Sequence, residues 1–225
     1  MLQKSSSALG YEYTFLITED GSDSSQIVSK LRKKFPNLIY RHHEERLGRG
    51  RALREAWNQV EGDVYVYLDV DMATDLERLD AFRKLVQSLE QYSMVTGSRY
   101  IPGSVTNRPF LRRLTSTAYN TLVRKLFRTG VHDHQCGFKS FSKALVKMLS
   151  TEAKSDSWFW DTEVIVLAKK YGFSIAEIPI YWNERKGKRT PLKRLTKDLW
   201  IHGVGLLALS WRMYGESFRS RITQK

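Results

Sequence analysis

"VYVYLDVDMATD", residues 64–75, is the stretch on which the fold turns: an apolar run that reads as a buried strand ends on Asp69 and Asp71, one valine apart. Apolar residues at successive positions suit a central strand covered on both faces. In open α/β sheets ligands bind outside the carboxyl ends of the strands, where these two aspartates fall. In extended backbone, residues two apart point to the same side. Two carboxylates so placed repel unless a cation lies beside them. Hard divalent ions such as Mg2+ or Mn2+ take oxygen ligands, and Mg2+ commonly uses one or two carboxylates plus substrate phosphates. Asp69 and Asp71 are therefore candidate metal ligands beneath a diphosphate. The alternative is a solvated strand-end turn, since Asp favours turns.

Working outward, the first half alternates strand-like and helix-like segments. "YTFLI" (13–17) and "NLIYR" (37–41) read as strands, with a helical run to Phe35 between them. "GRGRALREAWNQV" (48–60) places Leu53, Ala56, Trp57 and Val60 on one helical face. A helix over roughly 75–89 and a strand in "YSMVTGS" follow. This alternation predicts an α/β domain with a mostly parallel central sheet flanked by helices. Further on come a basic helix over 110–128, a loop entering a strand at "DHQCGFKSF", and a helix from "WFWDTE" to Gly172. A strand, "FSIAEIPIYW", and an amphipathic segment from Pro191 to Met213 close the pattern.

With 225 residues and 41% hydrophobic content the chain can bury a core and is not a disordered tail. Cys136 is the single cysteine, which excludes an internal disulfide and suits a reducing compartment. No secretory signal is evident in "MLQKSSSALG", and no run of apolar residues reaches bilayer-spanning length. The net charge of +13 implies an anionic partner, and on charge alone nucleic acid and an acidic membrane surface rank equally. From Arg185 to Lys225 there are eleven Lys or Arg against Asp198 and Glu216. They flank "LWIHGVGLLALSW", so residues 185–213 read as a basic amphipathic segment for an anionic leaflet, or as a helix packed on the protein's own sheet. Residues 1–213 are expected to form one domain and 214–225 a basic tail.

"YEYTFLITEDGSDSS", "RLGRGRALREAWNQVEGDVYVYLDVD", "VTGSRY" and "HQCGFKSF", in that order, resemble the family-2 glycosyltransferases of GT-A fold. Within them the resemblance is to enzymes that load a hexose onto dolichyl or another polyprenyl phosphate. It covers about Tyr11 to the region of Met213, and the family's opening apolar strand has no counterpart here.

The resemblance implies an inverting, metal-dependent transfer of a hexose from UDP-glucose or GDP-mannose to a lipid phosphate, with Mg2+ or Mn2+ at Asp69 and Asp71. It implies a nucleotide-sugar site formed by Glu19, Asp20, Gly48, Gly50, Asp69, Asp71, Gln135 and Lys139. Arg99 and Arg112 match arginines that bind phosphate groups, a task suited to the planar guanidinium. Asp133 is expected near the diphosphate and Cys136 in packing. Ala73 stands where a Gln joins the metal shell in the mannose-transferring type. His132 and His134 are expected as solvated loop residues. Asp161 matches the acidic position that serves as general base in many inverting members, but a lipid phosphate is already ionised and needs no base. Asp161 then orients substrate, Glu163 is structural, and the aromatic triplet Trp158 to Trp160 is core or a stacking surface. The implied location is the cytoplasmic face of a membrane, held peripherally, without nucleic acid as partner. The alternatives are a hydroxyl acceptor with Asp161 as base, or an inactive or regulatory module that lacks the first strand.

Overall fold

The computed structural model describes residues 10–71, 73–183 and 192–223. Nine strands are described: β1 (Leu16–Asp20), β2 (Ile39–His43), β3 (Val64–Leu68), β4 (Thr74–Asp75), β5 (Met94–Ser98), β6 (Val105–Asn107), β7 (Phe138–Ser142), β8 (Ile175–Pro179) and β9 (Tyr181–Asn183). Seven α-helices are described: α1 (Ser25–Arg32), α2 (Arg49–Trp57), α3 (Ala81–Gln87), α4 (Phe110–Phe127), α5 (Lys143–Glu152), α6 (Trp160–Lys170) and α7 (Leu192–Thr223).

The central sheet has the order β3-β7-β5-β8. β7 runs antiparallel to both neighbours, while β5 and β8 are parallel. Three of the four strands thus point one way and β7 opposes them, so the sheet is mixed in its pairings. β1 and β2 form a separate parallel pair, and β4, β9 and β6 a small third sheet. Among the described residues β1 bonds only β2 and β3 only β7.

Alternation along β7 distributes the chemistry. Phe138 packs with Phe82, Leu85 and Val95, and Ser140 Oγ donates to the Leu85 carbonyl, so this parity faces α3. Lys139 and Phe141 lie on the other face, where Phe141 joins Leu53, Trp57 and Trp160 of α2 and α6. A lysine is thereby carried into the core beneath α6. A third apolar cluster, with Val123, Phe127, Phe159, Val166, Leu206 and Leu209, ties α4, α6 and α7 together.

Three differences from the sequence reading have physical causes. The strand expected over "FSIAEIPIYW" is split at Ile180, since Pro179 has no N–H to continue a ladder. β8 stays with the central sheet and β9 crosses to the third. α5 was not expected; its start is marked by Ser142, whose hydroxyl accepts from the Leu145 N–H. α7 runs on through 214–223, so the expected tail continues a helix. Of the basic segment 185–213, residues 185–191, with Lys186, Lys188 and Arg189, lie outside the described residues.

Candidate active site

The site forms where β3, the start of α2, the loop 132–137 and the start of α6 meet. β3 ends at Leu68, and a turn at Val70 follows, with Val70 94% exposed. Asp69 and Asp71 therefore do not continue an extended strand. They still line one small recess with Gly137 and Trp182. Asp69 is held at its backbone by the Gly137 carbonyl (2.9 Å), and Tyr67 Oη donates to its Oδ1 (2.8 Å). A Cβ on Gly137 would fall 1.9 Å from Asp69 Oδ2, so only glycine leaves room for this carboxylate. Asp71 is exposed, with one oxygen accepting from the Ala73 N–H. Burial raises the Asp69 pKa; repulsion from Asp161 and Asp71 adds to this, and Arg49 and Tyr67 oppose it.

The dominant charge in the site is Arg49, which the sequence reading did not single out. Its Nη2 lies 2.6 Å from Asp69 Oδ1 and its Nη1 2.6 Å from Asp161 Oδ2. The guanidinium also covers the ring of Trp158, 3.6 Å from its centroid. Lys139, fully buried, places Nζ 2.8 Å from Asp161 Oδ1. It also donates to the Cys136 carbonyl. Asp161 is thus buried with a cation on each oxygen. Burial alone would raise its pKa, but Lys139 and Arg49 outweigh that and hold it below the usual carboxylate range.

Gly48 and Gly50 make this approach possible. Gly48 has φ 87°, and a Cβ there would lie 2.4 Å from the Asp156 carbonyl oxygen. A Cβ on Gly50 would lie 2.1 Å from the Ser155 carbonyl oxygen and 2.8 Å from Trp160 Cβ. The two glycines let the start of α2 press against the start of α6, which presents Arg49 to Asp161. The only sequence signal for Arg49 was its place between them. Asp20 secures the same corner, since its Oδ2 accepts from the Gly48 N–H at 2.6 Å.

The remaining candidates are placed elsewhere. Glu19 is turned onto its own loop, accepting from Ser22 Oγ, from the N–H and Oγ of Ser24, and from Tyr40 Oη. These donors, Ser22 first, pull its pKa down to about 2. Arg99 is buried and forked onto Asp133, with Nε to Oδ2 at 2.6 Å and Nη2 to Oδ1 at 2.8 Å. Arg99 also lines a cleft of about 560 Å3, whose walls include Tyr100, Arg113, Thr117, Arg124 and His132. Arg113 lines this cleft; Arg112 is exposed beside it on α4. Gln135 Nε2 lies 3.0 Å from His202 Nε2.

The expectation of two solvated histidines holds for His132, which is an exposed loop residue, and fails for His134. His132 Nδ1 pairs with Glu177 at 2.8 Å, and His134 is fully buried between Asn120 and Thr129. The loop is pulled inward by Glu177, which accepts from the backbone of His132 and Asp133. Cys136 is buried packing, its thiol pushed up to about 12 by that burial. Glu163 is structural, accepting from the Lys154 and Ser155 N–H groups and from Arg212. Phe159 and Trp160 are core, whereas Trp158 is exposed over Arg49.

Among the described residues no group of three or more His, Cys, Asp or Glu could hold a metal ion. Asp69 and Asp71 offer a two-carboxylate set at the rim of a recess that Gly137 keeps open. Such a set fits a hard divalent ion whose other ligands come from a bound diphosphate.

Comparison with known proteins agrees with this architecture. The profile of glycosyl transferase family 2 matches residues 3–149. Glycosyltransferase AglD of Haloferax volcanii is 37% identical over 95% of this chain, which spans 33% of that relative. Dolichyl-phosphate beta-glucosyltransferase ALG5A of Trichomonas vaginalis is 29% identical over 83% of this chain and 59% of its own length. The chain thus spans about a third of the first relative and under two thirds of the second. Among solved structures, glucosyl-3-phosphoglycerate synthase of Mycobacterium tuberculosis, in complex with Mn2+, UDP and phosphoglyceric acid, superposes with TM-score 0.66. It is 19% identical, and the match covers 93% of this chain and 72% of that one. A mixed sheet flanked by helices, an aspartate pair at a strand end and the family profile lead to one conclusion: the chain belongs to glycosyl transferase family 2 and has the GT-A fold.

Proposed function

We propose that this chain transfers a hexose, with inversion, from a nucleotide sugar to dolichyl or another polyprenyl phosphate. The observation that carries the acceptor class is Asp161, the position of a general base, spent between Lys139 and Arg49. A carboxylate held ionised by two cations and buried beneath them is a poor proton acceptor. An acceptor hydroxyl needs a base; a phosphate monoester arrives with its oxygen already ionised. Dolichyl-phosphate beta-glucosyltransferases among the relatives support the same acceptor and favour glucose. UDP in the related solved structures favours uridine as the donor base.

In this reading a phosphate oxygen attacks the anomeric carbon, a new C–O bond forms, and the bond to the nucleoside diphosphate breaks. Asp69 and Asp71 would hold Mg2+ or Mn2+, which when bound supplies positive charge against the departing diphosphate. Arg49, between Asp69 and Asp161, and Lys139 on Asp161 add fixed charge to the site, which is water-poor, so such charge acts strongly. Asp20, Gly48 and Gly50 shape the donor side, with Glu19 in the turn behind them and Gln135 in the facing loop. Arg99, through the cleft it lines, and Arg112 with Arg113 on α4 receive the acceptor phosphate. The enzyme works peripherally at a membrane surface, on the cytoplasmic face. No described helix is long and apolar enough to cross a membrane.

The test is thermal stability with UDP, GDP, UDP-glucose and GDP-mannose, each with and without Mn2+, followed by transfer to dolichyl phosphate. A nucleotide at about 100 times its dissociation constant stabilises by about 2.7 kcal/mol. That gain is expected with uridine nucleotides and Mn2+, and expected to vanish in Asp71→Ala. Transfer to an alcohol in place of dolichyl phosphate, with an acidic limb of the pH–rate profile abolished by Asp161→Asn, would sink the acceptor reading.

A further inference from the structure

The loop 132–137 and α4 share a chain of buried hydrogen bonds that ends at the cleft of about 560 Å3. It starts at Thr129, whose hydroxyl accepts from the Val131 N–H at 3.3 Å and lies 2.9 Å from His134 Nε2. On the other side of the ring, the His134 backbone nitrogen and Nδ1 each lie 3.0 Å from Asn120 Oδ1. A backbone N–H can only donate, so the atom that receives it is the amide oxygen, and the orientation of the Asn120 amide is fixed. Nδ1 donates to the same oxygen, which leaves Nε2 of the neutral ring to accept from Thr129. One polar atom of the chain stays unspent. Asn120 is 4% exposed, and its Nδ2, with two N–H donors, has no partner among the described residues. Buried donors are as a rule paired, because an unpaired one forfeits its hydrogen bonds to water.

Asn120 forms part of the wall of the cleft, together with Arg113, Thr117, Thr121 and Arg124 of the same helix. Positions three and four residues apart make one side of a helix, so α4 turns a polar side to the cleft. Among the described residues Arg99, Arg113 and Arg124 line the cleft and no carboxylate does. It therefore suits an anion rich in acceptor oxygens. The other donors are less fixed or already engaged. Arg113 and Arg124 stand on long rotatable side chains, Thr117 Oγ1 donates to the Arg113 carbonyl at 2.8 Å, and Arg99 gives two nitrogens to Asp133. We infer that Asn120 Nδ2 donates to an oxygen of a phosphate monoester held in this cleft, and that His134 positions the amide for it. The arginines supply attraction. The amide, set before the ligand arrives, supplies the point against which the phosphate is oriented, and preorganisation of this kind lowers the cost of binding. The assignment deepens the lipid-phosphate reading and rests on it for the source of the phosphate, since a soluble phosphomonoester offers the same chemistry.

The test is titration of the full chain with farnesyl phosphate, phosphoglyceric acid, inorganic phosphate and farnesol. Binding is read by calorimetry and by the side-chain amide resonance of Asn120 in proton–nitrogen correlation spectra. Asn120→Asp keeps an oxygen for His134 and replaces the NH2 group by a second oxygen, which repels a phosphate. Wild type is expected to bind farnesyl phosphate, and the Asn120 resonance to shift with it and not with farnesol. Asn120→Asp is expected to weaken that binding about tenfold or more, as for loss of a hydrogen bond to a charged group. Stabilisation by UDP and Mn2+ is expected to be the same in variant and wild type. An Asn120 that serves only the fold predicts an unmoved resonance and undiminished binding by Asn120→Asp, and either result overturns the proposal. If Asn120→Asp fails to fold, the wild-type resonance decides. Phosphoglyceric acid or inorganic phosphate that shifts this resonance, with farnesyl phosphate inert, upholds the assignment of Asn120 and removes the lipid acceptor instead.

Discussion

At Arg49 one side chain bridges two carboxylates that would otherwise face each other in a buried site. Its planar fork reaches Asp69 with one nitrogen and Asp161 with the other, a geometry that a point-charge ammonium does not reproduce. Removing one partner of a buried ionic network leaves the other charges uncompensated, which costs about 3–5 kcal/mol. Arg49→Ala is expected to lose stability of that order in urea unfolding. Its transfer rate is expected to fall by roughly 100-fold or more, as for loss of a preorganised charge. Arg49→Lys is expected to recover part of the stability and little of the rate. Wild-type stability in Arg49→Ala would mean that Lys139 alone satisfies Asp161.

Among the elements, the entry to α2 is the most tightly constrained. Its first residues press on the carbonyls of Ser155 and Asp156, and the gap has no room for a methyl group. Gly50→Ala forces α2 and α6 apart, and overpacking of this kind costs about 1–3 kcal/mol. Because Arg49 is the preceding residue, the same substitution is expected to weaken its reach to Asp161 and to lower transfer. Gly62→Ala is the control: its added Cβ would meet the Val64 carbonyl oxygen at 3.5 Å, an ordinary contact. Its stability is expected to stay within about 0.5 kcal/mol of wild type in the same titration. Equal losses in the two variants would show that the α2–α6 contact yields readily.

For the molecule as a whole, the loop 132–137 links stability to pH. Burial first of all lowers the His134 pKa from its ordinary 6.5 to about 3, although Asp133 opposes this. Between those values the unfolded chain takes up a proton that the folded chain refuses, so stability rises with pH and is lost on acidification. The loss begins near pH 6.5 and continues toward pH 3, at up to about 1.4 kcal/mol per pH unit. Glu19, held at about 2 against an ordinary 4.5, adds a loss of the same sign that begins lower, near pH 4.5. His134→Asn is expected to flatten the profile between pH 6.5 and 4.5 and leave the steeper part below. A wild-type profile already flat across that interval would contradict a neutral buried imidazole.

What the sequence by itself determined is what local pattern encodes. The apolar run before Asp69, the turn after β1 and the amphipathic period of α2 and α4 are properties of neighbouring residues. Steric and hydrophobic periodicity express them wherever the chain goes. The order of the motifs carried the family for the same reason. Only the tertiary structure decided which charges meet. Lys139 and Asp161 lie 22 residues apart and Arg49 and Asp161 112 apart, and nothing local records their pairing. The register of β7, with Lys139 opposite Tyr67, aims Lys139 into the core, and the two glycines bring α2 against α6. Buried cations there settle on the nearest carboxylates, because an unpaired charge in that medium is too costly to keep. The same cause keeps the buried His134 neutral and engages Arg99 with Asp133, outcomes that a residue's type and neighbours leave open.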